Sequence, residues 1–216
     1  MKKIYLSICR VLAAIGFLHM SAFGFSEGVD YITLETPIAN MNKTLIKVFS
    51  YTCSTCYEDD KAEKTDIIKE IESIVEIKPF HVKTQGIYAK EASEIFAVLL
   101  IKDRDNGITS IFDKNSQFKK AKMAYYNAYH EKRSKWKIGG ESFIRTGLNA
   151  SGLSMDEFKT LKNDPRVKEL LDMWDNNIAE VQNVPVYVVN GKYLINSKKI
   201  NLTNDLAEII KELADK

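Results

Sequence analysis

Two cysteines separated by two residues are the side chains in this sequence best suited to chemistry. Cys53 and Cys56 enclose Ser54 and Thr55, and a pair at this spacing can alternate between a dithiol and a disulfide. A structural disulfide stabilises a fold mainly by closing a long loop, and this loop is too short for that purpose. We therefore predict that the pair is redox-active.

Zinc binding is the rival interpretation of the cysteine pair. A structural zinc ion needs four ligands, and half of such a site often consists of two closely spaced cysteines. Beyond residue 24 the chain adds only His81 and His130, and neither stands beside a cluster of further ligands. We therefore favour redox chemistry without a metal.

The elements around the pair would position it for thiolate chemistry. Residues 44–50 are apolar and β-branched, which predicts a buried strand, and residues 56–72 have the apolar spacing of a helix. Cys53 would then lie at a helix start, where free backbone N–H groups and the helix dipole favour a thiolate. We predict that Cys53 has a lowered pKa and is the attacked sulfur, with Cys56 as the shielded resolving thiol.

Residues 1–24 have the three regions of a secretory signal peptide in order. Three basic residues and no acidic one lie in this segment, residues 11–18 are apolar, and small residues precede a cleavage site after Gly24. A permanent anchor helix is the alternative. However, Arg10 interrupts the apolar stretch, and the remainder is too short to cross about 30 Å of hydrocarbon.

Removal of this segment would change the charge and the cysteine count. The chain would lose Cys9 and keep 28 Lys and Arg against 29 Asp and Glu, so its formal charge would move from +2 to −1. This balance gives no support for nucleic-acid binding. The content of 45% hydrophobic and 28% charged residues is that of an ordinary folded protein and excludes a disordered or multi-span membrane chain.

The order of predicted elements describes an α/β sheet domain interrupted by helices. Strand, helix and strand over residues 44–82 imply a parallel pair with a crossover helix. Residues 85–163 show helical patterns and almost no strand signal, and Asn190-Gly191 predicts a two-residue hairpin turn. The predicted helices are residues 56–72, 89–102, 115–132, 141–146, one opened by Ser154, 165–181 and 202–213, and the predicted strands are residues 44–50, 74–82, 184–189 and 192–195.

Three stretches resemble the DsbA family of bacterial periplasmic oxidases. Residues 25–37, FSEGVDYITLETP, are similar to the start of the mature family members. Residues 48–57, VFSYTCSTCY, are similar to their aromatic lead into the cysteine pair, and residues 184–193, VPVYVVNGKY, to their cis-proline strand and hairpin. The resemblance extends over essentially the whole chain after the signal segment.

The resemblance implies a thioredoxin-like domain interrupted by an all-helical insertion. The thioredoxin-like domain would consist of residues 25–84 and 164–216, and residues 85–163 would form the insertion. It further implies that Pro185 is a cis proline lying against the cysteine pair, which leaves the backbone of Val184 free to pair with a bound peptide. Taken alone, Pro185 could equally be a tolerated first residue of a strand.

Two departures from the family pattern affect the thiolate. The cysteines enclose Ser54 and Thr55 where the family usually has Pro-His, which predicts a less oxidising protein. Lys47 falls where the family usually carries a buried acidic residue, and a lysine there would favour the thiolate. The alternative for Lys47 is an edge lysine whose stem reaches solvent. Together these departures predict a redox potential between those of thioredoxin and DsbA.

The implied function is disulfide donation to reduced secreted proteins in the periplasm. A client thiolate would attack Cys53, and the client's second thiolate would resolve the mixed disulfide. A membrane quinone reductase of the DsbB type would reoxidise the pair, no cofactor beyond the Cys53–Cys56 disulfide is expected, and we expect a monomer that binds no nucleic acid. A disulfide reductase and a non-catalytic peptide-binding chaperone remain open. An isomerase is disfavoured because no dimerisation domain precedes Tyr31.

The middle of the helical region is rich in basic and aromatic residues. Basic runs are usually solvated helix faces, which we expect here, with a docking surface for an acidic substrate as the alternative. We expect the aromatic residues to pack in the core, and His81 to be structural. The basic residues are Lys119, Lys120, Lys122, Lys132, Arg133, Lys135 and Lys137, and the aromatic ones are Tyr125, Tyr126, Tyr129 and Trp136.

Overall fold

The structure, a computed structural model, describes residues 24–62, 65–133, 136, 139–178, 181, 183–199 and 205–216. Nearly all of the predicted signal peptide therefore lies outside the described residues. The same holds for the start of the last predicted helix and for Lys135 and Lys137 of the basic run. None of the helices within these described ranges is long and apolar enough to span a bilayer.

A five-stranded mixed sheet in the order β1-β5-β4-β2-β3 carries the pair. Strand β2 lies parallel to β3 and antiparallel to β4, and all six of its residues are buried. A strand covered in this way needs the nearly continuous apolar sequence that predicted it. The strands are β1 (Tyr31–Thr33), β2 (Thr44–Phe49), β3 (Glu76–His81), β4 (Val186–Val189) and β5 (Tyr193–Ile195).

Helices pack around this sheet and form the whole middle of the described chain. The described part of residues 85–163 contains helices and no strand, as predicted. Within it α3 packs on α4 and α5, and it also packs on α7. The helices are α1 (Ser54–Lys61), α2 (Thr65–Ile74), α3 (Ala89–Asp105), α4 (Gln117–Tyr126), α5 (Gly140–Ser151), α6 (Met155–Leu161), α7 (Pro165–Ile178) and α8 (Leu206–Ala214), and a π-helical turn, Asn127–Glu131, continues α4.

The single helix predicted over residues 56–72 is wrong, because the chain forms α1 and α2 separately. The buried residues of α1 include Tyr57, whose hydroxyl reaches the π-helical turn, whereas α2 packs against α8. Two helical faces with different partners cannot both be buried by one straight helix. The prediction also missed β1, which pairs antiparallel with β5 and at three residues is too short for a periodicity signal.

Local signals at two other places predicted a helix start and a turn at the right residues. The hydroxyl of Ser154 accepts the backbone N–H of Glu157 at 3.2 Å and caps α6. Asn190 and Gly191 both have positive φ, 54° and 63°, and lie in the turn between β4 and β5 as predicted, although the pairing of Val189 with Tyr193 leaves three residues between the strands and not two. A Cβ on Gly191 would lie 2.3 Å from the carbonyl oxygen of Ile38, so glycine is required there by space as well.

The basic and aromatic residues of the insertion divide between core and surface. Tyr125, Tyr126 and Trp136 are buried as expected, but Tyr129 is 40% exposed. The expectation of a solvated basic face is wrong for Lys122, which is only 3% exposed. The reason is a buried carboxylate that binds its ammonium group, described below.

Candidate active site

The cysteine pair lies where the chain leaves β2 and begins α1. Cys53 is the N-cap residue of α1, and its Sγ accepts the backbone N–H of Cys56 at 3.0 Å. The two cysteines form a disulfide with a Cα–Cα distance of 5.2 Å. Cys53 is partly exposed and Cys56 is fully buried. This difference in exposure agrees with attack at Cys53, and the two roles remain predictions.

A buried serine that sequence reasoning missed holds the turn before the pair. The carbonyl of Ser50 accepts the backbone N–H of Cys53 at 3.1 Å, and its hydroxyl accepts that of Thr52 at 3.2 Å. The same hydroxyl donates to the carbonyl of Gln85 at 3.1 Å. The turn is therefore fastened to the segment that follows β3.

The structure places four further predicted site residues next to the disulfide. The Val184–Pro185 peptide bond is cis, and the carbonyl oxygen of Val184 lies 3.3 Å from the Sγ of Cys53. This contact follows from the sheet order, because β4, which Pro185 precedes, is the neighbour of β2. Ser54 and Thr55 are exposed beside the disulfide.

Lys47 lies inside the protein, in β2. The side chain is 8% exposed, and its Nζ lies 2.7 Å from the Oδ1 of Asp60. The alternative of an edge lysine whose stem reaches solvent is therefore wrong, because β2 is an inner strand and the side chain is buried against α1 on one face of the sheet. Asp60 stands four residues after Cys56 in α1, so both side chains lie on the buried face of that helix.

A second lysine binds the same carboxylate from the helical region. The Nζ of Lys122, in α4, lies 3.0 Å from the Oδ2 of Asp60, and both side chains are 3% exposed. Its ammonium also lies over the ring of Phe118, 5.2 Å from the centroid. Asp60 thus joins β2, α1 and α4 through one carboxylate, and the cluster of Lys47, Asp60 and Lys122 holds two lysines for one acid.

Burial and pairing shift the pKa values of this cluster in opposite directions. Burial alone would raise the pKa of Asp60, but Lys122 and Lys47 outweigh it and lower that pKa to about 2. Burial alone would lower the pKa of Lys47, but Asp60 raises it above its ordinary value. For Lys122 burial prevails, and its pKa is lowered. Asp60 is therefore a carboxylate at neutral pH.

Asp60 and Lys122 are functional candidates that the sequence prediction missed. One signal was available for Asp60, because a charged residue four positions after Cys56 falls on the face that a helix packed on the sheet must bury. No local signal distinguished Lys122 from the other lysines of its helix. Its burial depends on Asp60, which lies 62 residues earlier in the chain.

An open apolar cavity of about 490 Å³ borders the turn that carries the pair. Ile87 forms part of its rim and is 87% exposed, the most exposed large hydrophobic residue of the described chain. Gly86 packs against the side chains of Tyr51 and Thr52, which lead directly into Cys53. The lining residues are Tyr51, Gly86, Ile87, Tyr88, Tyr129, Arg133 and Trp136.

Comparison with known proteins identifies close relatives that are named as thiol:disulfide interchange proteins. No protein-family model matches the chain. The chain is 49% identical over 210 residues to the thiol:disulfide interchange protein DsbL of Escherichia coli O6:H1, covering 95% of this chain and 94% of that protein. The crystal structure of DsbL from Salmonella enterica serovar Typhimurium has a TM-score of 0.84 at 50% identity, covering 90% of this chain and all of that one.

A more distant structure shows the same fold. DsbA from Proteus mirabilis has a TM-score of 0.70 at 20% identity, covering 89% of this chain and 99% of that one. The α/β sheet with its helical insertion is thus the thioredoxin-like fold of DsbA-type proteins, with the pair at the start of α1. The chain belongs to the DsbA and DsbL family of thiol:disulfide oxidoreductases.

Proposed function

We propose that the protein is an oxidase that donates the Cys53–Cys56 disulfide to reduced secreted proteins in the periplasm. The observation that carries this proposal is the partly exposed Cys53 at the start of α1, joined by a disulfide to the fully buried Cys56. A client thiolate has access to Cys53 and none to Cys56. The sulfur that is attacked and the sulfur that leaves are therefore distinguished by burial.

The exchange consists of two displacements. A client thiolate attacks the Sγ of Cys53, the Cys53–Cys56 bond breaks, and Cys56 leaves with the electron pair and takes up a proton. The client's second thiolate then attacks its own half of the mixed disulfide, and Cys53 leaves as a thiolate. The client loses two electrons and the protein gains them.

The buried charges of the site favour this direction of electron flow. The cluster of Lys47, Asp60 and Lys122 adjoins the helix face of Cys56, and the half-buried Asp59 also interacts with Lys47. Positive charge beside the pair stabilises the thiolate formed on reduction, and stabilising the reduced form makes the pair more oxidising. Ser54 and Thr55 add no charge, so we retain a potential between those of thioredoxin and DsbA.

Polypeptide clients fit the surroundings of the pair. The backbone of Val184, held beside Cys53 by Pro185, would pair with an extended client segment, and the apolar cavity behind Tyr51 would accept a side chain of that segment. The Proteus mirabilis DsbA was solved with the non-covalently bound peptide PWATCDS. We infer that this chain likewise binds the residues around a client cysteine.

The cellular setting is part of the same proposal. Residues 1–24 would direct export, and the monomer would be reoxidised by a DsbB-like membrane quinone reductase. The thioredoxin-like domain would consist of residues 25–84 and 164–216, and residues 85–163 would form the inserted domain. The family membership supports these assignments.

The equilibrium redox potential in glutathione buffers tests the direction of electron flow. We expect a value well above about −200 mV and a Cys53 pKa well below the value of about 8.5 of free cysteine. A potential near −270 mV would instead make the protein a reductase. In a client oxidation assay Cys53→Ser should be inactive. If the protein were instead a non-catalytic chaperone, a double Cys53→Ser, Cys56→Ser variant would keep its full ability to hold client peptides.

A further inference from the structure

A histidine from the helical insertion contacts the turn before the redox pair. His130 belongs to the π-helical turn Asn127–Glu131, a type of turn that is frequent at functional sites. Its Nε2 lies 3.2 Å from the carbonyl oxygen of Tyr51, two residues before Cys53. Because a carbonyl oxygen can only accept, Nε2 carries a proton and donates it.

The same imidazole ring lies against the first residue after the pair. It stacks on the ring of Tyr57, with centroids 5.4 Å apart and planes inclined by 11°. The hydroxyl of Tyr57 donates to the carboxylate of Glu131 at 2.6 Å, which fixes the phenol under the histidine. His130 therefore contacts the chain on both sides of the segment from Cys53 to Cys56.

His130 is less buried than the other histidine of the described chain. His81, the other histidine of the described chain, is buried, and burial lowers its pKa to about 3. His130 is partly exposed, and its bond to the Tyr51 carbonyl uses Nε2 and not Nδ1. An aromatic face such as that of Tyr57 favours a cation. The titratable side chains whose rings contact the imidazole are Tyr57 of α1, Tyr126 of α4 and Tyr129 of the π-helical turn. Glu131 of the same turn binds both Tyr57 and Lys61 of α1.

We propose that His130 is a positioning residue for Cys53, acting through its hydrogen bond to Tyr51 and through its positive charge. The hydrogen bond holds the turn in the geometry in which Cys53 caps α1. The imidazolium stabilises the Cys53 thiolate whenever the pair is reduced. This role concerns the interchange chemistry itself and is independent of the direction in which electrons flow.

Three substitutions separate the hydrogen bond, the ring and the charge. His130→Phe keeps a ring against Tyr57 and removes both donor and charge. His130→Gln keeps an N–H donor near the position of Nε2 and removes the charge. Lys132→Gln removes an exposed cation just beyond the π-helical turn and is the matched control. For each protein we would measure the Cys53 pKa by thiolate absorbance and the equilibrium constant with glutathione.

We expect His130→Phe to raise the Cys53 pKa and to reduce the equilibrium constant for glutathione oxidation roughly three- to tenfold at pH 6. His130→Gln should recover part of this loss, and Lys132→Gln should change neither quantity. The difference between the wild type and His130→Phe should shrink above pH 8, because a neutral imidazole has no charge to lose. A purely structural role would give a difference that does not vary with pH.

The wild-type protein provides a test that does not depend on the folding of a variant. The NMR titration midpoint of the His130 ring should lie at higher pH in the reduced protein than in the oxidised one, because thiolate and imidazolium stabilise each other reciprocally. Equal midpoints, or a Lys132→Gln effect as large as that of His130→Phe, would overturn the proposal. A low redox potential of the wild type would contradict the proposed oxidase function, but it would not change the expected differences between the wild type and the His130 variants.

Discussion

At the scale of single residues, the buried carboxylate of Asp60 is the centre of the site. It binds Lys47 from β2 at 2.7 Å and Lys122 from α4 at 3.0 Å, out of reach of solvent. Buried ions are costly to desolvate, so an ion cluster of this kind is stable only while every member has its partner. The same carboxylate therefore links the strand before the pair, the helix after it and the helical insertion.

Asp60→Asn should destabilise the protein by about 3–5 kcal/mol at pH 7, because it leaves two buried ammonium groups without a counter-ion. Urea unfolding of the oxidised protein would measure the change in the free energy of unfolding. Asp59→Asn is the matched control, since Asp59 is half-buried and its hydrogen bond comes from the hydroxyl of Tyr187 at 3.1 Å. Equal costs for the two variants would contradict the central role of Asp60.

At the scale of elements, the position of the pair depends on how the segment after β3 packs against the turn after β2. Gly86 has a φ of 112°, and a Cβ there would lie 2.3 Å from the hydroxyl oxygen of Tyr51 and 2.9 Å from the Cγ2 of Thr52. The absence of a side chain at Gly86 thus lets this segment approach the turn that leads into Cys53. Left-handed backbone and lack of space both require glycine there.

Gly86→Ala should cost about 1–3 kcal/mol more than Gly107→Ala in the free energy of unfolding. Gly107 is the matched control because it also has a positive φ, 75°, while its Cβ would meet nothing within 4 Å. The control therefore carries the backbone strain alone, and Gly86→Ala adds the clash with Tyr51. Thermal unfolding of both variants would measure the difference, and equal values would show that Tyr51 moves aside freely.

At the scale of the whole molecule, two buried groups connect stability to pH. Burial lowers the pKa of His81 to about 3, and the two lysines lower that of Asp60 to about 2. Both groups bind protons more readily in the unfolded chain than in the folded one. Their contributions are therefore complete at neutral pH and are lost on acidification, that of His81 from about pH 6.5 downward and that of Asp60 from about pH 4 downward.

The free energy of unfolding should consequently fall by on the order of 4 kcal/mol between pH 6.5 and pH 3, mainly through His81. Urea titrations at a series of pH values would measure this slope. In His81→Asn, which has no group titrating in that range at this position, the slope should be much smaller even if the variant is less stable overall. An unchanged slope would mean that other groups dominate the acid response.

The redox state should also change the stability of the whole molecule. If the pair is an oxidant, its reduced form is the one that folding stabilises. We expect the free energy of unfolding of the reduced protein to exceed that of the oxidised protein by about 1–3 kcal/mol. This estimate follows because a difference of 30 mV in redox potential corresponds to about 1.4 kcal/mol for two electrons. Parallel urea titrations with and without reductant would measure the difference. A more stable oxidised form would point to a reductase.

Features governed by neighbours in the chain were predictable from the sequence. The apolar run of β2, the start of α1 at the pair, the Ser154 cap and the Asn190-Gly191 turn each depend on residues a few positions apart. The α/β class and the helical middle followed from the order of such segments. The resemblance of three short motifs was enough to name the family that the relatives then showed.

Only the tertiary structure decided which charged and small residues meet beneath and beside the pair. Nothing local distinguishes Lys122 from its exposed neighbours, because its burial depends on Asp60 in a distant helix. The contact between Gly86 and Tyr51 and that between His130 and the Tyr51 carbonyl likewise join segments far apart in sequence. Local sequence determines which backbone conformations are favourable, whereas the partners of a buried polar group are determined by how the finished elements pack.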